Sequence, residues 1–368
     1  DNTVWCYWYW INDDISKDGI TKDLLAMKKA GIGGALIGNI NPAHKDGKVP
    51  MLSQDWWSHM VHAVVEGKRI GVDIGIFNCP GWSQSGGPWV DYTKAMRYLT
   101  FSETKVSGGK ALTLSLKKPK EKFQDTHTFA FKSSDIEKRS TQFIPTKITA
   151  NWNDVDVSVL SDGNKEADTS FKIKKGKPLE ISFDLAEPIT ARSITIIPSK
   201  AFKCNMSLFA VVNGQEELIK EFQFDRFRIT PNVASIETGD FATVLPATKA
   251  DKFILKCTNF RDRRGGYGFA EINISEAPVL DKYIEKQLGK MHSTPKPDWD
   301  TYIFGRQKAL KDKSFAVNPD EVIDLSDKLD ENGVLNWDAP EGNWTIMRMG
   351  MTPTGTKNAP AAPQGVGY

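Results

Sequence analysis

Apolar residues in the first hundred positions alternate between strand-like runs and helix-like spacing. Short runs of β-branched and aromatic residues predict three buried strands, at residues 4–10, 34–40 and 72–77. Apolar residues at helical spacing predict three helices, at residues 21–30, 54–70 and 91–99. Strands that alternate with helices through short connections indicate parallel βαβ units.

The first two predicted helices carry signals at their ends. Thr21 is predicted to cap the first helix and Gly31 to end it, because a hydroxyl accepts free N–H groups and glycine adopts left-handed backbone. Ser53 and Gly71 are predicted to bound the second helix in the same way. The apolar side of this second helix is predicted to hold Trp57, Met60, Val61, Val64 and Val65.

The pattern changes near residue 100. Between about residues 105 and 277, helical spacing gives way to many short alternating strands separated by turn residues such as Asp162-Gly163. Strands of this length and spacing favour an all-β sandwich of the jelly-roll type. A short helix is predicted over residues 279–291 and a strong strand over residues 344–350, before a Pro/Gly/Ala-rich loop.

Composition and charge reduce the number of function classes that the sequence allows. A chain of 368 residues holds two or three domains. Its 48 basic and 46 acidic residues leave a net charge of +2, which removes the electrostatic case for nucleic-acid binding. No apolar stretch is long enough to span a membrane. The 11 Trp, 8 Tyr and 19 Phe suit sugar ligands, although two aromatic-rich cores would explain them equally well.

The termini and cysteines say little about compartment. Residue 1 is Asp, which fits either removal of a signal peptide or a start inside a longer protein. The four cysteines are scattered without a C-x-x-C pair, so they form neither a zinc motif nor a disulfide framework.

Polar residues follow each predicted parallel strand at its carboxyl end, where ligands bind in such sheets. Asn12-Asp13-Asp14 follows the first strand, Asn39 the second, and residues 78–89 the third. An amide both donates and accepts hydrogen bonds and can bracket a sugar hydroxyl. For Asn39 a role in the turn itself is the stronger interpretation, whereas Asn78 is favoured as functional.

Residues 78–89 form the most specific motif. Gly81, Gly86 and Gly87 permit backbone conformations closed to other residues, and Trp82 and Trp89 could act as platforms for a sugar ring. The order of the glycines fits neither a P-loop nor a dinucleotide fingerprint. A rigid loop without ligand contacts is the competing interpretation.

Three other candidates are weaker. His59 and His62 could share a metal, but no third ligand has suitable spacing, so partly exposed helix histidines are favoured. Residues 261–267, rich in arginine, are interpreted as a sandwich loop. Asp13 and Asp14 could bind a hydroxyl or a cation, or could start the first helix. No Ser/His/Asp arrangement can be placed.

These motifs resemble the amino-terminal catalytic region of glycoside hydrolase family 106, the α-L-rhamnosidases. The resemblance is carried by residues 7–12, 19–24, 27–34, 78–83, 342–346 and 352–355. The middle of the chain resembles only a general galactose-binding-like sandwich. Two departures are clear. Tyr7 stands where the family's first strand has Trp, and the family's acid and base carboxylates lie beyond Tyr368, so no catalytic residue is assigned.

The resemblance implies a secreted or periplasmic inverting hydrolase that removes terminal rhamnose from plant glycans such as pectin, with calcium as a cofactor that could assist it. The chain would supply one side of the pocket for the oligosaccharide or glycan substrate, from Trp10, Asn12, Asn78, Trp82 and Ser85. The catalytic groups would come from the missing carboxy-terminal part of the same protein. A non-catalytic carbohydrate-binding protein and a truncated, inactive hydrolase relative remain as alternatives.

The predicted fold is therefore α/β plus all-β, a partial (β/α)8 barrel interrupted by a jelly-roll-like β-sandwich. Residues 1–105 would form the first three βα units and residues 106–285 the inserted sandwich. Residues 286–368 would return to the barrel, with residues 344–350 as its fourth strand.

Overall fold

A computed structural model describes residues 3–43, 47–82, 86–134, 143–226, 239–262, 266–286, 307, 312–355 and 357–365. The chain is mostly β and divides into two compact units. Residues 1–98 and 352–368 belong to one, the α/β unit, and most of the chain between them belongs to the other, the β-rich unit. No helix among the described residues is long and apolar enough to cross a membrane.

The α/β unit contains the predicted parallel sheet. Its strands are β1 (Val4–Ile11), β2 (Ile32–Ile40) and β3 (Asp73–Ile76), and they pair in parallel in the order β1-β2-β3. Helices α1 (Lys17–Lys29) and α2 (Gln54–Ile70) connect them. The first five predicted elements are thus confirmed, with boundaries shifted by a few residues.

The helix ends match the prediction in three of four places. Ser53 Oγ accepts the Trp56 N–H at 3.1 Å at the start of α2, and Gly71, with φ 80°, ends that helix. Helix α1 ends before Gly31, also at φ 80°. Its cap is Ser16, not Thr21, because the Ser16 Oγ accepts the Gly19 N–H at 3.1 Å one turn earlier.

Among the described residues, the two helices cover one face of the three-stranded sheet. Trp8 and Trp10 of β1 point toward α1 and α2 and lie in the core with Trp56. The alternate residues of β1 lie on the opposite face and are 39–67% exposed: Trp5, Tyr7, Tyr9 and Ile11. Alternation along a strand places successive side chains on opposite faces, and both sets here are mainly aromatic.

The buried face of α2 differs from the predicted one. Met60 is buried as expected, together with Trp56, His59 and Ala63. The other four residues of the predicted apolar side are 49–63% exposed: Trp57, Val61, Val64 and Val65. This helix therefore carries two apolar sides, of which the sheet covers one.

The third predicted helix is wrong. Around residues 91–95 the chain makes a turn, in which the Ala95 N–H donates to the Asp91 carbonyl at 2.9 Å. Strand β4 (Arg97–Ser107) follows directly. Pairing of β4 with a strand far along the chain outweighs the weak local helical spacing.

The β-rich unit has two parts, and both ends of its chain build the first. Its strands besides β4 are β5 (Lys110–Ser115), β6 (Gln124–Lys132), β13 (Ile323–Asp324), β14 (Val334–Ala339) and β15 (Asn343–Pro353). Four of them form a sheet in the order β13-β6-β15-β4, and β5 pairs with β14 beside a shared core.

Strand β15 corrects the predicted fourth barrel strand. Residues 344–350 do form a strand, but it runs antiparallel to β6 and buries Trp344 and Ile346 in the β-rich unit. Only residues from 352 onward belong to the α/β unit. The predicted barrel segment 286–368 is therefore reduced to its last residues, and the insertion extends well beyond residues 106–285.

The second part is the predicted sandwich. Its strands are β7 (Lys147–Ala150), β8 (Leu179–Pro198), β9 (Phe202–Val212), β10 (Gln215–Asp225), β11 (Phe241–Asp262) and β12 (Phe269–Ser275), followed by the short helix α3 (Tyr283–Lys286). The long strands β8 and β11 change partners halfway. One set of halves pairs in the order β10-β9-β11-β8-β7, and the other in the order β11-β8-β12.

Both sets of strands share a single hydrophobic core, which makes them the two layers of a sandwich. Phe183 and Phe253 come from one layer, Ile194 and Ile272 from the other, and all four are fully buried. The predicted β-sandwich is confirmed, whereas the predicted partial (β/α)8 barrel is not, since the described residues of the α/β unit form a three-stranded parallel sheet with two helices. The predicted helix over residues 279–291 is described only through Lys286.

Candidate functional site

The carboxyl ends of the three parallel strands meet at one edge of the sheet, called here the strand-end edge. Because β2 lies between β1 and β3, the ends of β1 and β3 are two strand spacings apart, about 10 Å. They do not belong to neighbouring strands. Side chains that follow β1 and β3 can still face each other across a ligand the size of a monosaccharide.

Asn12 and Asp13 form a left-handed turn after β1, with φ values of 53° and 57°. Asn12 Oδ1 accepts the Ala43 N–H at 3.3 Å. Asp13 is 1% exposed, and its Oδ2 accepts a hydrogen bond from Asn41 Nδ2 at 3.0 Å. Asp13 therefore joins the loops after β1 and β2 and does not start the first helix, whereas Asp14 is exposed.

Asn39 has a structural role, as predicted, but it binds a helix side chain instead of its own turn. Its Oδ1 accepts the indole N–H of Trp56 at 3.0 Å, and the residue is buried. The side chain thus joins the end of β2 to the first turn of α2. It is not available to a ligand.

Trp10 does not line the strand-end edge, which corrects its predicted role in the pocket. It is 3% exposed and lies on the helix side of the sheet. Its ring makes edge contacts with Trp8 and Trp56, with centroid distances of 5.8 and 6.3 Å. A side chain packed in this way supports the end of β1 but cannot contact a sugar.

The loop after β3 presents polar and aromatic groups to solvent. Asn78 is exposed, and the side chains of Trp82 and Trp89 are 48% and 54% exposed. The Trp89 ring lies against Gly87, where a Cβ atom would collide with it. Ser85 lies outside the described residues.

Residues 357–365, called here the strap, pack against the strand-end edge. The Pro360 carbonyl accepts the Asn41 N–H, and the Ala359 carbonyl accepts the Trp82 N–H, both at 3.2 Å. Asn358, Ala361 and Ala362 are buried. Sequence reasoning treated these residues as part of a terminal loop. Their small side chains carried no signal of a place beside the site.

The weaker candidates have structural roles. His59 is buried and its Nδ1 lies 2.8 Å from the Asp55 carbonyl, while His62 Nε2 lies 3.0 Å from Thr21 Oγ1 between the two helices. In the arginine-rich loop, Asp262 accepts the Gly266 N–H and the Tyr267 hydroxyl. Across the described ranges, no group of three His, Cys, Asp or Glu side chains could hold a metal ion.

The strand-end edge offers binding groups rather than acid–base groups. Of the two carboxyls after β1, Asp13 is held by Asn41 and Asp14 is exposed. Both come from the same loop, so they do not flank a ligand from two sides. The edge combines the exposed amide of Asn78 and the half-buried amide of Asn12 with a half-exposed indole, an arrangement that can bind a small polyol.

The chain is similar to known proteins in sequence and in structure. The chain aligns over its whole length with the solved structure of a rhamnosidase from Novosphingobium sp. PP1Y, at 25% identity and a TM-score of 0.76, and it covers 34% of that chain. A Formosa agariphila protein provisionally named beta-glucuronidase is 41% identical over 128 residues, 34% of this chain and 11% of that protein. This chain thus spans about a third of the first protein's length. The profile of glycoside hydrolase family 106, described as alpha-L-rhamnosidase, matches residues 2–368, and the chain belongs to that family.

Proposed function

We propose that this chain supplies one side of a pocket for a terminal L-rhamnose of a glycan, in an inverting α-L-rhamnosidase. The observation that carries the proposal is the half-exposed ring of Trp82, which is 48% accessible. Trp82 lies in the loop that follows β3, and the exposed Asn78 lies at the start of the same loop. Asn12 faces the same edge from β1. Ser85 is proposed as a further contact from the same loop.

The chemistry of the ligand suits these groups. A deoxy sugar such as rhamnose has an apolar methyl group and apolar ring faces that pack on an indole. Its hydroxyls both donate and accept, as the amides of Asn12 and Asn78 do. Trp10, which is buried behind the sheet, is left out of this pocket.

Inverting hydrolysis needs an acid and a base carboxyl about 6.5–9.5 Å apart with a water between them. At the strand ends that the structure describes, no two carboxyls face each other from different loops. We therefore assign both catalytic groups to a further part of the same polypeptide. The same part would complete a (β/α)8 barrel and cover the exposed aromatic face of β1.

Calcium is not supported by the residues at this edge. A calcium ion takes six to eight oxygen ligands, usually including several carboxylates. The one buried carboxylate here, Asp13, is already bound by the Asn41 amide, and the described residues contain no metal-binding group of three. The roles proposed for Asn12, Asn78 and Trp82 need no metal. Pectin as the source of the rhamnose and a secreted or periplasmic location stay proposals that follow from the family.

Titration of the 368-residue chain with L-rhamnose and with a rhamnosyl oligosaccharide tests the proposal. Trp82→Ala should weaken binding about tenfold, because loss of an aromatic contact costs about 1–2 kcal/mol. Trp57→Ala is the matched control, since Trp57 is 49% exposed but lies on the outer side of α2.

Two results would overturn the proposal. If the unaltered chain failed to bind either sugar, or if Trp82→Ala and Trp57→Ala had equal effects, this edge would not be the sugar site. Hydrolysis of an aryl α-L-rhamnoside by the 368-residue chain would show that both carboxyls lie within it. We expect no turnover.

A further inference from the structure

The main chain of Trp82 is fixed although its side chain is half exposed. Its N–H donates to the Ala359 carbonyl of the strap at 3.2 Å, and the preceding N–H, of Gly81, donates to the Asn39 carbonyl at 2.8 Å. Two consecutive amides of one loop therefore bind two different segments, β2 and the strap. The backbone that carries the exposed ring is therefore held in place before any ligand arrives.

Gly81 makes this arrangement possible in two ways. Its φ of 73° is a left-handed conformation that other residues rarely adopt. A Cβ atom at this position would lie 3.0 Å from the Ala359 carbonyl oxygen and 3.1 Å from its carbon. Any side chain would thus strain the loop and also push it away from the strap.

The strap is itself anchored from several sides. The Asn41 N–H donates to the Pro360 carbonyl at 3.2 Å, and the Asn358 Nδ2 donates to the Gly365 carbonyl at 3.0 Å. Ala361 and Ala362 are at most 1% exposed. At its end Gly365 packs so closely on Pro80 that a Cβ would lie 2.6 Å from the proline Cγ. The strap therefore contacts the 78–82 loop at both of its ends.

We propose that the strap, residues 357–365, positions Trp82 for sugar binding. The positioning residues are Asn358 in the strap and Gly81 in the loop that the strap contacts. The inference rests on the proposed function for its link to sugar, but the position of the ring can be measured without a ligand. A platform held in place in the free protein loses less conformational entropy on binding than a mobile one. Residues almost 280 positions apart in sequence thus form one unit of the site.

The experiment labels the 368-residue chain with 5-fluorotryptophan and records ¹⁹F NMR spectra. The Trp82 resonance is identified as the one that Trp82→Phe removes. In Gly81→Ala this resonance should move and broaden, and the Kd for L-rhamnose should rise about tenfold. The melting temperature of the β-rich unit should not change.

Gly31→Ala is the matched control. Gly31 has a φ of 80°, close to that of Gly81, and lies in the same unit, but a Cβ there would meet no atom within 4 Å. The control therefore introduces the backbone strain without the contact to the strap. Its Trp82 resonance and Kd should match those of the unaltered chain.

Asn358→Ala changes the strap itself, since it removes the hydrogen bond from Asn358 Nδ2 to the Gly365 carbonyl. It should shift the Trp82 resonance in the same direction as Gly81→Ala and speed hydrogen exchange at the Gly81 and Trp82 amides. If Gly81→Ala does not fold, Asn358→Ala decides the question. An unmoved Trp82 resonance in the folded variants, or an equal shift in Gly31→Ala, would overturn the proposal. A resonance that moves in a chain that binds no sugar would leave the positioning intact and reject only the proposed function.

Discussion

The sandwich and the α/β unit place their aromatic side chains very differently. In the sandwich, Phe183, Phe202 and Phe253 have no exposed surface, and both layers contribute to one closed core. In the α/β unit, β1 buries Trp8 and Trp10 on one face only, while Tyr7 on the other is 67% exposed. The two layers of the sandwich enclose one core, whereas alternate side chains of β1 in the α/β unit stay exposed in the part of the chain that the structure describes.

This difference assigns most of the stabilising core to the sandwich and the candidate sugar contacts to the α/β unit. A closed core of fully buried side chains concentrates the hydrophobic stabilisation of the chain in the sandwich. The candidate sugar contacts lie in the α/β unit, where main-chain hydrogen bonds between loops and the strap fix the groups that face solvent. The half-covered unit should therefore tolerate surface changes well and respond strongly to changes at its strand-end edge.

The largest predicted change in the free energy of unfolding comes from a comparison of two aromatic residues, one from each unit. Phe253→Ala should lower the free energy of unfolding of the β-rich unit by about 3–5 kcal/mol, because it leaves a cavity in a fully buried site. Tyr7→Ala should cost less than about 0.5 kcal/mol in the α/β unit. Denaturant unfolding followed by circular dichroism measures both values. A large cost for Tyr7→Ala would show that another surface covers the open face in solution.

A second comparison uses one ion pair from each unit. In the β-rich unit, the Arg348 side chain is 2% exposed and contacts Asp125 through its Nε at 2.6 Å and through a second nitrogen at 2.8 Å. Asp125→Ala would leave this guanidinium without its carboxylate and should cost about 2–3 kcal/mol, less than for a fully buried pair because Asp125 is 39% exposed.

The matching pair in the α/β unit joins Lys22 to Asp18 at 2.6 Å, with side chains 72% and 76% exposed. Lys22→Ala should leave the free energy of unfolding almost unchanged, because water screens an exposed pair. The ratio of the two effects is measured by thermal unfolding at equal ionic strength. Equal costs would mean that Arg348 is better hydrated than its burial indicates.

Local signals predicted the elements of the α/β unit well and their exposed faces poorly. Ser53 and Gly71 bound α2 as predicted because a cap depends only on its own helix. The role of Trp10 was wrong because β1 is aromatic at every position from Tyr7 to Trp10, so the pattern cannot tell which face the helices cover. Only packing against Trp56 decides it.

Long-range pairing explains the other errors. Residues 344–350 were correctly predicted as a strand, but alternation does not name the neighbouring strand, and the neighbour is β6. The turn at residues 91–95 precedes β4, whose partner β15 lies more than 200 residues away. The strap escaped prediction because it acts through main-chain carbonyls, which every residue possesses.

The smallest predicted effect is a pH dependence at the contact between α1 and α2. Hydrogen bonds from Arg69 lower the pKa of the Glu66 carboxyl from 4.5 to about 2, with a smaller contribution from Thr21, against an opposing effect of burial. A depressed pKa means that Glu66 stabilises the folded state above pH 4.5 and loses this contribution as the pH falls toward about 2. Glu66→Gln should therefore make unfolding of the α/β unit less sensitive to pH in this range.

Glu271 of the sandwich provides a control of opposite sign. Burial raises the pKa of its carboxyl above the usual value of 4.5, and nearby Asp162 adds to the rise, although the Gly163 N–H partly offsets both. A raised pKa means that the ionised form weakens the fold, so this contribution improves as the pH falls through the folded-state pKa. As the pH falls, the contribution of Glu66 to the free energy of unfolding should therefore decrease, whereas that of Glu271 should increase.

Unfolding curves of Glu66→Gln and Glu271→Gln between pH 2.5 and 6, compared with those of the unaltered chain, measure how each contribution changes with pH. Slopes of the same sign would contradict the assignment of the Glu66 shift to Arg69, since burial alone moves both carboxyls in the same direction.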